Sequence, residues 1–276
     1  MGKELSTSSV RSSNVEYQRL KEKIVPNLLF NQTLYEQALR KYVSSETLWL
    51  DAGCGHKILP SWRIDSELKL VANARFACGC DVDGNATQRH ASLRYRVICD
   101  LAALPFKKGS FTLVTCNMVA EHLVNPRAVF AEFARVLQSD KGVVIIHTPY
   151  RWSYFAIISR LVPQVIKNYI GRHIDGRPAE DYYPVQYRCN TPRKLRRIFS
   201  CVGMQEMKVS MYASDASLQF LAKSRLGRLI VETELYLLRL SLRPRWSFLR
   251  LSICGIYKLK GQAMGLHTTS RGLHQC

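Results

Sequence analysis

The chain has 276 residues, with 40 Lys and Arg against 21 Asp and Glu (formal charge +19), 47% hydrophobic residues and nine cysteines. That length supports a single decorated domain with one full core. The odd cysteine count, thiols inside apolar runs (Cys80, Cys99, Cys116, Cys254) and no Cys-x-x-Cys pair argue against a disulfide framework and fit free thiols. No basic-then-apolar leader opens the sequence, and no apolar run approaches the roughly 18–20 residues of a membrane span, so a cytoplasmic protein is expected. The charge is uneven: residues 1–150 hold 19 basic and 14 acidic side chains, residues 151–276 hold 21 and 7. A basic half attracts anionic partners such as nucleic acid, phospholipid headgroups or phosphorylated substrates.

Residues 1–14 read as a disordered tail of small polar residues, and a helix is expected from Glu16, with Tyr17, Leu20 and Ile24 on one face and Pro26 as its stop. A second helix is expected from Gln32 to Tyr42. The apolar run Leu48-Trp49-Leu50-Asp51-Ala52 then meets Gly53-Cys54-Gly55, a buried strand breaking into a tight turn. A dinucleotide fingerprint would need a third glycine where Ile58 stands. Instead, two further short strands end in acids, Ala77 to Asp81 and Tyr95 to Asp100. Acids ending neighbouring strands line the edge at which open α/β sheets bind ligands. His56 to Leu70 is expected to form a shortened or bent helix, with Trp62 as a packing residue, and Asn85 to Ala91 a helix. Phe111 to Cys116 reads as the fourth strand, Pro126 to Leu137 as a helix and Val143 to Pro149 as the fifth strand.

These motifs, with Asp100-Leu101-Ala102-Ala103-Leu104-Pro105-Phe106 and the segment from Gly109 through Glu121-His122 to Pro126, resemble the class I S-adenosylmethionine-dependent methyltransferases of the small-molecule type. The resemblance runs in order over residues 46–150. It departs at Lys57, where many members have a third glycine, and at Thr112, where an aspartate usually follows the phenylalanine. It implies an α/β, Rossmann-like sheet of seven mostly parallel strands, the last antiparallel, flanked by helices. It also implies S-adenosyl-L-methionine as cofactor. On this reading Asp51 lies on the ammonium side, Gly53, Cys54 and Gly55 line the methionine and ribose, and Asp81 accepts the ribose hydroxyls. Val82 packs on the adenine, Asp100 and Leu101 meet its amino group, and the Asn117 main chain contacts the methionine part. His122 is the candidate general base for a hydroxyl acceptor, because imidazole titrates near neutrality. Some quinone O-methyltransferases hold a divalent ion with Glu-x-x-Glu-His at this point; here Met118 replaces the first Glu, which argues against a metal.

Beyond the fifth strand, residues 150–190 carry aromatic clusters (Tyr150, Trp152, Tyr154, Phe155, Tyr182, Tyr183) and suit an acceptor-side insert. A helix follows the Thr191-Pro192 cap, with strands expected over Gln205 to Tyr212 and Leu251 to Leu259. Residues 214–250 form a helical insert whose long leucine- and arginine-rich part, Leu218 to Leu242, suits packing, a homodimer interface or peripheral contact with an anionic membrane. The expected activity is methyl transfer to a small-molecule or lipid-linked acceptor. The alternatives are a catalytically impaired scaffold, motivated by Lys57 and Thr112, and an RNA methyltransferase. Nucleic acid is disfavoured because Asn117-Met118-Val119-Ala120 stands where an Asn-Pro-Pro-Tyr-like clamp would fall.

Overall fold

The computed structural model describes residues 7–154, 156–157, 183–213, 222 and 224–260, with side chains from residue 15 onward. Contacts divide the chain into two compact units. The first takes its described residues from Met1–Leu34, Tyr150–Tyr183 and Met211–Ser252, the second from Tyr35–Pro149, Pro184–Ser210 and Ile253–Cys276. The helices are α1 (Thr7–Ile24), α2 (Asn31–Leu39), α3 (Ile64–Asn73), α4 (Gly84–Gln88), α5 (Pro126–Val136), α6 (Pro192–Cys201) and α7 (Arg225–Ser241). The strands are β1 (Leu48–Ala52), β2 (Phe76–Asp81), β3 (Tyr95–Ile98), β4 (Leu113–Asn117), β5 (Val143–Pro149), β6 (Met204–Tyr212) and β7 (Ser252–Leu259).

All seven strands share one sheet, in the order β3-β2-β1-β4-β5-β7-β6. It is mostly parallel with one antiparallel strand, as expected. The central strands are apolar on both faces, the composition that a parallel sheet covered on both sides requires. The order steps outward from β1 to β3, then restarts on the other side of β1 with β4. The crevice at that reversal, outside the strands' carboxyl ends, is where such sheets bind ligands.

Thr112 closes the opposite end of these strands. Its amide donates to Leu48 O at 2.9 Å, and its hydroxyl accepts the Leu48 amide at 2.9 Å. Phe199 of α6 is fully buried between Phe130 of α5, with ring centroids 4.4 Å apart, and Tyr257 of β7, 3.9 Å away. In the first unit, Tyr17, Leu20 and Ile24 of α1 share a core with Val231, Leu235 and Leu238 of α7. The Tyr154 hydroxyl there reaches Glu234 Oε1 at 2.7 Å.

Several boundaries differ from the sequence reading. Helix α1 begins at Thr7 rather than Glu16, taking in residues assigned to the tail. Once a helix is nucleated by its packed face, each upstream residue adds a hydrogen bond at small cost, even for serine. After Pro60 the chain makes a 3₁₀ turn, Ser61–Arg63, before the full-length helix α3. Trp62 sits on that turn, none of whose residues is buried, and is 69% exposed instead of packed. Among the described residues seven cysteines are free thiols, but Cys201 is disulfide-bonded, because counting parity cannot see which thiols folding brings within reach. No described helix is long and apolar enough to cross a membrane. Most of the aromatic insert, residues 158–182, lies outside the described residues.

Removing the middle ring of the aromatic stack should leave a cavity that the sheet cannot close. Phe199→Ala is expected to cost about 3–5 kcal/mol, read as a lowered urea midpoint, with Phe199→Leu recovering part of the loss.

Candidate active site

The turn leaving β1 is shaped by two glycines with positive φ, Gly53 at 75° and Gly55 at 52°. A Cβ on Gly53 would run into the Val119 side chain, while one on Gly55 would meet nothing within 4 Å, so the backbone there is bare on one side. The amides of Gly53 and Cys54 donate to Cys80 O at 2.7 and 3.1 Å. The Gly55 amide donates to Asp81 Oδ2 at 2.8 Å, and the Asp83 amide to Asp81 Oδ1 at 2.9 Å. Each Asp81 oxygen thereby takes one proton donor and keeps capacity for another. The loop continues over the buried Glu67, whose Oε2 accepts the amides of Ile58 (3.1 Å) and Leu59 (2.7 Å) and whose Oε1 accepts the Ser92 hydroxyl at 2.5 Å. Glu36, also buried, is forked by Arg63 (2.7 and 2.8 Å) and Arg40 (3.0 and 2.7 Å), which ties α2 to the same loop.

Beneath the turn lies a polar ladder. Trp49 Nε1 donates to Thr115 Oγ1 at 2.7 Å, and Thr115 donates to Asp51 Oδ1 at 2.5 Å, because parallel register sets Asp51 opposite Thr115. Burial pushes the Asp51 carboxyl up to about 7 against the pull of the Thr115 hydroxyl, and the charges of Glu67 and Asp81 add to the rise. Along the same edge, Asn117 Nδ2 donates to Ile58 O at 3.0 Å, and Asn117 Oδ1 lies 2.9 Å from His147 Nδ1. Burial drops His147 to about 3, so it is neutral, with its Nδ1 proton on the amide oxygen. Tyr35 of α2 stacks on its ring at 5.3 Å. At the ends of β2 and β3, Val82 is 70% exposed beside Asp81, Asp100 accepts the Ala102 amide at 2.8 Å, and Leu101 is buried.

His122 follows β4. Its Nδ1 lies 3.0 Å from Pro184 O, which can only accept, so Nδ1 carries the proton and Nε2 is the basic nitrogen. Nε2 is 3.9 Å from Glu121 Oε1. Glu121 is buried and held above the ordinary carboxylate range by that burial. It accepts the Thr148 hydroxyl at 2.9 Å, and Thr148 in turn accepts Asn190 Nδ2 at 2.5 Å. The Glu121 carbonyl takes the amides of Gln186 (2.6 Å) and Tyr187 (3.0 Å), stitching residues 184–190 to the loop after β4.

Sheet order, glycine turn and edge acids together invite comparison with known proteins. A family model described as a methyltransferase domain matches residues 50–146. The chain has the class I methyltransferase fold. No curated protein matches it significantly in sequence. A solved geranyl diphosphate methyltransferase in complex with SAM shares 15% identity, with 94% of this chain and 93% of that one covered and a TM-score of 0.51. A SAM-dependent methyltransferase from Archaeoglobus fulgidus shares 18%, covering 88% and 99%, with a TM-score of 0.51. A chain of the complex between the Haloferax volcanii Trm112 activator and a methyltransferase shares 12%, covering 93% and 99%, with a TM-score of 0.53. At these identities the likeness is one of fold.

Within this fold, Gly55 is joined directly to Asp81, Gly53 and Cys54 are tied to the neighbouring Cys80 carbonyl, and Val82, Asp100, Leu101 and Asn117 lie along the same strand edge. The Asn117 side chain is engaged with Ile58 and His147. Glu67, Glu36 and the Glu121–Thr148–Asn190 chain were missed. Glu67 had a signal, an acid on the apolar stripe of α3 with Ile64, Leu70 and Val71. The partners of Glu121 are far apart in sequence and gave none. Among the described residues, no group of three His, Cys, Asp or Glu is arranged to hold a metal ion.

Because the folded pKa of Asp51 lies above its ordinary value of 3.8, the stability it contributes is full below about pH 4 and is lost as pH rises through about 7. The shift corresponds to on the order of 4 kcal/mol. Asp51→Asn should remove this decline, so that urea midpoints of the two proteins converge near pH 4 and the variant is the more stable at pH 8. Parallel pH profiles would show that Asp51 ionises normally.

Proposed function

We propose that the chain transfers a methyl group from S-adenosylmethionine to a small-molecule or lipid-linked acceptor. The observation that carries this reading is the turn held by Asp81: a bare glycine backbone beside a carboxylate with one acceptor site left on each oxygen. Those sites suit a pair of vicinal ribose hydroxyls, Val82 offers an apolar surface for a base, and Asp100 and Leu101 lie at the next strand end. Asp51, which burial makes reluctant to ionise, gains most from a cationic ammonium group placed above it. When bound, the cofactor supplies an electrophilic methyl on a sulfonium. The protein must hold the acceptor in line and exclude water. For a hydroxyl acceptor, His122 Nε2 takes the proton as oxygen attacks, with Pro184 O fixing the tautomer and Glu121 facing the resulting imidazolium.

Thr112 supports this reading over a scaffold, because its hydroxyl takes the Leu48 amide at 2.9 Å and so does structural work where an aspartate is usual. Lys57 is engaged in the same sense, its Nζ donating to Ser61 Oγ at 2.9 Å. The acceptor panel should include isoprenyl diphosphates, since one fold relative methylates geranyl diphosphate.

Calorimetric titration is expected to show saturable binding of S-adenosylmethionine and S-adenosylhomocysteine. Asp81→Ala should weaken it about a hundredfold or more through loss of two charge-assisted hydrogen bonds, and Asp81→Asn less. Unchanged affinity in folded Asp81→Ala protein would overturn the assignment. With an oxygen acceptor, His122→Ala should lower kcat by about 10²–10⁴ while leaving cofactor affinity intact.

A further inference from the structure

Helix α7 is amphipathic twice over. Gly227, Val231, Leu235 and Leu238 face inward, toward the core shared with α1. On the opposite side Leu226, Leu229, Ile230, Tyr236 and Leu237 are exposed, Leu226 by 71% and Leu229 by 60%. At 3.6 residues per turn these five fall within one arc of roughly 120°, with Thr233 its exposed polar member. Along one border of that arc run Arg225, Arg228, Arg239 and Arg243, among which Glu232 is the helix's own acid and Arg228 is paired with Glu16 of α1 at 3.1 Å. Glu234, the helix's other acid, is turned inward and bound by the Tyr154 hydroxyl at 2.7 Å. The following turn, Pro244–Leu249, adds Arg245 and the neighbouring rings of Trp246 and Phe248, 5.6 Å apart and both exposed.

We infer that this face of α7 docks on an anionic lipid surface. An exposed leucine and isoleucine stripe bordered by arginines is what lets a helix lie in the interface plane, aliphatic groups entering the acyl boundary while guanidiniums fork lipid phosphates. Tyr236 and Trp246 are of the residue type that settles at headgroup depth, and Phe248 adds to the apolar side. A second copy laid antiparallel on the same face would bring arginine borders together, and although Tyr236, Trp246 and Phe248 could stack on bases, the exposed leucine and isoleucine stripe finds its match in acyl chains and not in nucleic acid. The inference stands on α7 and does not rest on the methyl-transfer reading.

Co-sedimentation of the full chain with phosphatidylcholine vesicles, with and without phosphatidylglycerol, tests it. Binding is expected to the anionic vesicles and to weaken with salt. Leu229→Glu with Leu237→Glu should cut the partition coefficient on the order of tenfold or more. Arg239→Glu with Arg243→Glu should cut it by a similar factor on anionic vesicles alone. Circular dichroism should show both variants folded, since every changed side chain is exposed. Equal binding to both vesicle types, or none to either, overturns the inference. So does a dimer that the leucine variant separates, which would assign the face to a second copy, or vesicle-independent capture of polyuridylate that the arginine variant abolishes.

Discussion

The way the chain leaves β1 constrains everything else at the ligand-binding edge. Gly53 has to turn with positive φ where Val119 leaves no room for a Cβ, and Gly55 turns again with its amide aimed at Asp81. One backbone hydrogen bond thus fixes the loop and orients the carboxylate. Glu67 then satisfies the amides of Ile58 and Leu59, so the irregular path to Pro60 is held by a side chain where no secondary structure can hold it. The cost is a buried acid, offset because both its oxygens are bonded.

Buried carboxylates in this unit divide by what meets them. Glu36 faces two guanidiniums; burial alone would raise it, yet the arginine hydrogen bonds prevail and hold it below the usual range. Asp51 and Glu121 meet hydroxyls instead, and burial lifts both. Glu36 therefore acts as a permanent clamp, whereas Asp51 and Glu121 are acids whose ionisation an incoming cation would favour. Both of the latter lie at the carboxyl ends of β1 and β4, the strands flanking the topological reversal.

Much of this was legible from local pattern. Strand-ending acids and the Gly53–Gly55 spacing report backbone geometry within a few residues, and Thr191 caps its helix through a side-chain oxygen as its sequence signature implies. What stayed hidden needed partners distant in sequence. Asn190 and Thr148 are separated by 42 residues, and Pro184 and His122 by 62, so no spacing links them. Trp62 shows the converse error. A large aromatic side chain implies burial on average, but a 3₁₀ turn after Pro60 presents it outward.

Methyl transfer from a sulfonium needs little from side chains, and acceptor choice then falls to whatever builds the wall opposite the cofactor. On the proposed reading, residues 184–190 of the second unit would begin that wall, since they are stitched to the loop that carries His122. Tyr187 is held there at φ 51°, an unusual conformation for a bulky residue, by the hydrogen bond its amide donates to the Glu121 carbonyl. Cys189 Sγ donates to Ala120 O at 3.3 Å, and Arg188 to Val124 O at 2.8 Å. Three consecutive residues thus lean on the loop that carries His122. On that reading, a change that relaxes the segment would shift the candidate base and the acceptor wall together, through main-chain and side-chain hydrogen bonds alike.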